Sequence, residues 1–323
     1  MTASVYSWRT EFGDVFSHRR ILVTGATGFI GGHLCEALHA LGARLYALAL
    51  EPVAPAFIKA ERYLQVDLTE FERTQAVISE IQPDIIYHLA GLVTASQERN
   101  LVLPMLYNNL VSAVNILMAA ADSQCERVVI TGSAEELAVD EQNAAPTSPY
   151  AAAKAAATMY ARMFYRLYGL PAVIVRLFVA YGPRQHSSKL IPYTILSLLR
   201  GERPKVLSGD RICDFIYVMD LVRGMLKIGL EPNLQGDIIE LGTAKATRIR
   251  EIVEGLVSLT ESKIFPEFMA TDGQIKDRSL VADIRKTREL LKWTPVWSLE
   301  EGLRETIAWY SSIKNQSFMA EDG

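Results

Sequence analysis

Cysteine is scarce in this 323-residue chain: Cys35, Cys125 and Cys213 lie far apart, with no Cys-x-x-Cys pair. That spacing argues against a disulfide scaffold or a structural zinc site, so no metal is expected and a reducing compartment is. Clustered cations are also missing. The formal charge is −4 and no Lys/Arg block stands out, which argues against a sequence-independent binder of nucleic acid or of an anionic membrane. The opening MTASVYSWRTEFGDVFSHRR has no apolar stretch of the kind a secretory signal carries. No apolar run reads as long enough to span a bilayer, and there is no internal repeat or low-complexity tract. Apolar residues are plentiful, at half of the chain, ample for a continuous core. The expectation is a soluble, cytoplasmic enzyme of one large α/β domain or two modest ones.

Short apolar runs alternate with helical patterns. Ile21–Val23, Arg44–Leu50, Ile85–Leu89, Val128–Ile130 and Ala172–Leu177 read as strands, with helices through Leu34–Leu41, Asn109–Ala121 and an alanine-rich stretch from Ala151. Strands apolar on both faces predict a doubly wound parallel (Rossmann) sheet covered by helices. After Leu177 the pattern loosens: one helix is clear over Ile191–Arg200, and runs at Phe215–Val218 and Asp237–Leu241 are expected to return to the main sheet. Residues 1–19 read as an extension outside the core, with room for one short helix, and the polar tail after Lys314 as frayed.

Between the first strand and first helix, Gly25, Gly28 and Gly31 have the spacing Gly-x-x-Gly-x-x-Gly. The first two permit a tight turn and close backbone approach to a pyrophosphate; the third lets the helix pack on the strand, and the helix N-terminus favours an anion. A dinucleotide is the expected ligand. The residue ending the second strand, near Ala49, is not acidic, and Glu51 lies two residues on without a following Arg. Glu51 is either the partner of an NAD ribose diol or a solvated loop acid; NAD is favoured and NADP remains open. Asp67 reads either as a neighbour of the adenine amino group or as a helix N-cap.

Tyr150 and Lys154 stand one helical turn apart in Ser148-Pro149-Tyr150-Ala151-Ala152-Ala153-Lys154. An ammonium beside a phenol lowers the phenol's pKa and makes a proton donor and acceptor usable near neutrality. Upstream, Val128 to Ser133 is a strand that delivers a hydroxyl to the sheet's C-terminal edge, where ligands bind in open α/β sheets. With Thr24–Gly31, His88-Leu89-Ala90, Pro104–Asn109, Arg176 through Pro183, Asp214–Val218, Ala282-Asp283-Ile284 and Trp293–Gly302, these motifs occur in the order found in one family. From about Arg20 to Tyr310 the chain resembles the extended short-chain dehydrogenase/reductases of the NAD-dependent nucleotide-sugar epimerase/dehydratase family.

The resemblance implies a Rossmann domain over 20–177 and 206–242, a smaller nucleotide-sugar-binding α/β lobe over 178–205 and 243–314, and a flexible tail over 315–323. It implies that Gly25, Thr27, Gly28, Phe29, Ile30, Gly31, Glu51, Asp67, Leu68, Leu89, Ala90, Gly91 and Asn109 bind the cofactor with Tyr150 and Lys154. Tyr150 would exchange a proton with a sugar hydroxyl or ketone, Lys154 would lower its pKa, and Ser133 would bond the reacting oxygen. Glu135, in Ser133-Ala134-Glu135-Glu136, resembles the base of hexose 4,6-dehydratases, but also a stretch of 4-keto-sugar reductases; a surface loop acid is the plain alternative. The Tyr-Gly of the full dehydratase set is replaced by Leu137-Ala138. An epimerase or 4-keto-sugar reductase in carbohydrate biosynthesis is therefore expected first, a 4,6-dehydratase second, and a non-catalytic dinucleotide sensor third.

Two departures fall in the substrate half. Val179 stands where family members often carry a phosphate-contacting Asn, and Cys213 where many carry a diphosphate-clamping Arg. Cys213 reads as a packing residue. Arg184, Lys189, Arg211 and Arg278 are the cations at hand, Arg211 being nearest in sequence; Thr94, Val179, Lys189, Leu190, Arg211 and Arg278 are the expected substrate contacts. Second apolar faces on the helices of 101–121 and 151–168, the latter with Ala155, Met159, Met163 and Leu167, fit the homodimeric four-helix bundle that the resemblance implies. A thick monomeric core would explain them equally.

Overall fold

The computed structural model describes residues 7–94, 96–137, 145–207, 209–269 and 279–321. Seven parallel strands form the main sheet: β1 (Arg20–Thr24), β2 (Arg44–Ala49), β3 (Arg62–Gln65), β4 (Ile85–His88), β5 (Arg127–Ser133), β6 (Ala172–Leu177) and, after four short strands outside it, β11 (Ile238–Leu241). The spatial order is β11-β6-β5-β4-β1-β2-β3. The order reverses between β1 and β4, which opens a crevice at the carboxyl ends of those strands. β1, β4 and β5 are almost wholly buried, as strands covered on both faces must be.

Helix α1 (Trp8–Phe12) precedes the sheet, and α2 (Phe29–Ala40) and α3 (Phe71–Ile81) follow β1 and β3. A helical stretch then runs through α4 (Val102–Met105), a π-helical segment at Leu106–Val111, and α5 (Ser112–Ala121). α6 (Pro149–Tyr168) starts where the sequence marks it: Ser148 caps the helix by accepting a bond from the Ala151 amide at 3.1 Å, and Pro149 occupies the first turn. The remaining small strands pair in twos: β7 (Val179–Tyr181) with β10 (Phe215–Tyr217), β8 (Lys205–Leu207) with β13 (Glu267–Met269), and β9 (Ile212–Cys213) with β12 (Thr247–Arg248). Between and after them come α7 (Leu190–Arg200), α8 (Val218–Leu230), α9 (Ile249–Leu259), α10 (Arg285–Leu291) and α11 (Leu299–Glu321). Asp214 ties these connections together. Fully buried, it accepts bonds from the amides of Thr243, Ala244 and Ala282 and from the Thr243 hydroxyl.

Three expectations need correction. Asp237–Leu241 does return to the sheet, but Phe215–Val218 does not: β10 pairs with β7 away from it, and Val218 already begins α8. Residues 8–16 of the expected extension are not outside the core: Trp8, Phe12 and Phe16 are buried in the same apolar cluster as Ile21 and Leu38. Glu11 reaches Lys227 at 3.0 Å and Arg223 at 3.3 Å, which pins α1 to α8. Finally, Arg99–Ala121 is 23 residues long and holds an 18-residue window of mean hydropathy 1.5, by length and composition enough to cross a bilayer. Here its inner side packs against α3 and α6, with Ile116 and Leu117 fully buried, as a side helix of the sheet.

Candidate active site

Two adjoining cavities share Gly25, Gly28, Leu89 and Gly91 and form one cleft over the carboxyl ends of β1, β4 and β5. The first, about 260 Å³, is walled by the glycine loop, the ends of β2 and β3, and Leu89 to Leu92. The second, about 470 Å³, is walled by Phe29 to Gly31, Thr131 to Ser133, Tyr150, Lys154 and the residues that follow β6.

Gly25 has φ +65°, and a Cβ there would stand 2.8 Å from the Ala90 amide nitrogen. A Cβ on Gly31 would collide with the Gly25 carbonyl. Both positions therefore hold strand, turn and helix closer than any side chain allows. The Thr27 hydroxyl donates to Glu51 at 2.7 Å, which fixes this carboxylate at the rim beside the loop. Asp67 accepts from the Thr69 amide and hydroxyl at 2.9 and 2.7 Å, closing a turn. It is not the cap of α3, whose N-cap is Glu70, so the capping alternative is set aside. Leu68 and Asp67 both face the first cavity. Asn109 does not line the cleft. It lies buried behind Gly91 in the π-helical segment, donates to the Leu92 carbonyl at 3.1 Å, and leaves its Oδ1 without a partner among the described residues.

At the other end, Lys154 is 5 % exposed and donates to the Thr131 carbonyl at 2.9 Å; burial pulls its ammonium down to about 8. Tyr150 hydrogen-bonds with Ser133, yet burial, aided by the charges of Glu136 and Glu135, raises the phenol above its usual range. The depression expected from Lys154 is absent from that balance, and the ammonium is bonded to the Thr131 carbonyl. Beneath both, His88 is fully buried and held at Nδ1 by the Thr24 hydroxyl at 2.8 Å; desolvation, then the Lys154 charge, pulls it down to about 3. His88 is thus a neutral support under the lysine.

The two adjacent glutamates have different surroundings. Glu136 is buried, accepting from the Ser133 amide at 2.6 Å and the Thr158 hydroxyl at 2.9 Å, with Arg176 at 3.4 Å. Glu135 faces the cavity and pairs with Arg211 at 3.2 Å. Among the expected substrate contacts, Thr94, Val179 and Lys189 line the second cavity. Leu190 and Arg211 do not: Leu190 packs on the core at the start of α7, and Arg211 meets the wall through Glu135. Arg278 and Ala138 lie outside the described residues. Cys213 is buried in the core, as a packing residue would be. Val93, Phe178, Gln185 and His186 join the lining. The signal available for the last two was their place in a glycine- and proline-marked loop just after a strand end.

A family model described as "NAD dependent epimerase/dehydratase family" matches residues 21–242. The chain is 29 % identical to a UDP-glucuronate 4-epimerase of Thermodesulfobacterium geofontis, over 89 % of this chain and 95 % of that one. It is 28 % identical to a dTDP-glucose 4,6-dehydratase of Neisseria meningitidis, over 92 % and 94 %. Among solved structures, MoeE5 in complex with UDP-glucuronic acid and NAD superposes with a TM-score of 0.80 at 27 % identity, covering 91 % of this chain and 99 % of that one.

Proposed function

The chain belongs to the NAD-dependent epimerase/dehydratase family, and from that premise we propose that it uses NAD to modify a nucleotide-activated sugar, as an epimerase or 4-keto-sugar reductase. One observation carries the reading: Ser133, Tyr150 and Lys154 line the same cleft as the glycine loop. The cleft suits NAD. Side-chain-free glycines leave backbone for a pyrophosphate, and Glu51 is an acid at the rim, without a following Arg, as an unphosphorylated ribose diol requires.

When bound, NAD supplies a hydride acceptor and a positive charge that favours a nearby phenolate. The chain's own residues handle the proton and the substrate. Tyr150 exchanges a proton with the sugar's hydroxyl or ketone, and the Ser133 hydroxyl bonds the reacting oxygen. Lys154, anchored on Thr131, keeps its ammonium on the tyrosine's side of α6. Leu177, Phe178 and Val179 exclude water, and Lys189 in the cavity wall serves the diphosphate with Thr94 nearby; Arg211 joins it from beside Glu135. A 4,6-dehydratase is the second reading, favoured by the Glu135 carboxylate in the cleft wall. Homodimerisation through α4, α5 and α6, and a cytoplasmic setting suggested by the cysteine usage, complete the proposal.

The test is turnover of a panel of UDP- and dTDP-sugars with NAD. Tyr150→Phe should lower kcat by about 10²- to 10⁴-fold with an unchanged unfolding curve; full activity in that variant overturns the mechanism. A 4-keto-6-deoxy product, lost in Glu135→Gln, would select the dehydratase.

A further inference from the structure

Among the described residues, Glu135 is the one carboxylate in the wall of the catalytic end of the cleft. Among the described residues its carboxylate has a single polar partner, Arg211 Nη2 at 3.2 Å. The same holds in reverse: Arg211 spends one of its five N–H donors on Glu135, and no other bond from its side chain is found among those residues. The two side chains are 26 % and 30 % exposed. A single-bonded pair so open to solvent is easily exchanged. Glu136 next to it is the contrast, buried and bonded from three directions.

Among the described residues, two cations line this end of the cleft, Lys154 and Lys189. Lys154 is buried and bonded to the Thr131 carbonyl, Lys189 is exposed, and Arg211, outside the lining itself, meets the wall through Glu135. Glu135 is also connected to the proton-transfer group: its amide donates to the Ser133 hydroxyl at 3.2 Å, and Ser133 in turn bonds Tyr150.

We propose that Arg211 is shared between Glu135 and the substrate. Without ligand, Glu135 holds the guanidinium at the cleft wall. An incoming nucleotide diphosphate, with more charge and paired oxygens that match the guanidinium fork, draws Arg211 to itself. Glu135 is then left as an unpaired carboxylate beside Ser133 and Tyr150 only when substrate is present. The inference rests on the nucleotide-sugar reading, and it makes Arg211 a positioning residue that couples diphosphate binding to the state of Glu135.

The test is equilibrium binding of UDP and of dTDP to the NAD-loaded enzyme by calorimetry, with NADH fluorescence as a check on the fold. Glu135→Gln removes the competing charge and should tighten nucleoside diphosphate binding by about three- to tenfold at low ionic strength, the gain shrinking in salt. Arg211→Gln should weaken it by at least a similar factor. The opposite signs are what a shared guanidinium requires. Unchanged or weaker binding in Glu135→Gln, or unchanged binding in Arg211→Gln, overturns the proposal while leaving the nucleotide-sugar reading intact. Failure of the unaltered enzyme to bind either diphosphate overturns both.

Discussion

Burial governs the titration of several side chains, His88 under the cleft among them. His88 and His33 are pulled down from 6.5 to about 3 and about 4, in both cases mainly because desolvation penalises the imidazolium. Between the folded and unfolded values the unfolded chain binds the extra proton, so stability falls as pH drops from about 6.5 towards 4. Asp220 acts oppositely: burial raises it from 3.8 to about 6, so in that window the folded state holds the extra proton and gains as pH falls. Two histidines outweigh one aspartate, each pKa unit being about 1.4 kcal/mol. Urea unfolding should therefore show declining stability from pH 6.5 to 4, with a shallower decline in His88→Asn. An identical slope in that variant would show that His88 is not the source. Glu135 and Glu136 make the same point for geometry. The sequence presents two equivalent acids, and only their partners, Arg211 against Ser133, Thr158 and Arg176, separate an open carboxylate from a structural one.

At the scale of elements, the glycine loop, β5 and the start of α6 were legible because each rests on local rules. A turn needs residues without side chains, a buried strand needs apolar faces, and a helix start needs a cap. Gly31→Ala places a methyl against the Gly25 carbonyl, so α2 must move off β1. The expected cost is about 1–3 kcal/mol, with NAD affinity, read by NADH fluorescence, falling more than tenfold; unaltered affinity would argue against close packing of loop and helix. α1 was not legible, since five residues show too little periodicity to reveal a buried face. Phe16 is nonetheless fully buried, and Phe16→Ala should cost about 3–5 kcal/mol in chemical denaturation. A loss under 1 kcal/mol would return this segment to the status of an appendage. The strand at Phe215–Tyr217 was placed in the wrong sheet for a related reason: three apolar residues carry no information about which edge they join.

For the molecule as a whole, α4 to α6 leave several large apolar side chains exposed. Leu103, Tyr107, Met159 and Leu167 are all exposed, a set of apolar side chains that a partner helix pair would cover. Light scattering should report a dimer, and Leu103→Glu with Met159→Glu should dissociate it without unfolding; a monomeric parent protein would refute the bundle. The sequence by itself determined the doubly wound sheet, the glycine loop between β1 and α2, and the Tyr150–Lys154 spacing on α6, because these depend on spacing within one strand, turn or helix. Only the tertiary structure decided that the N-terminal segment belongs to the core, that Lys154 is anchored on a strand carbonyl, and that Arg211 meets Glu135. Those contacts join residues up to 212 positions apart, as Glu11 and Arg223 are, and no local pattern encodes a meeting at that distance.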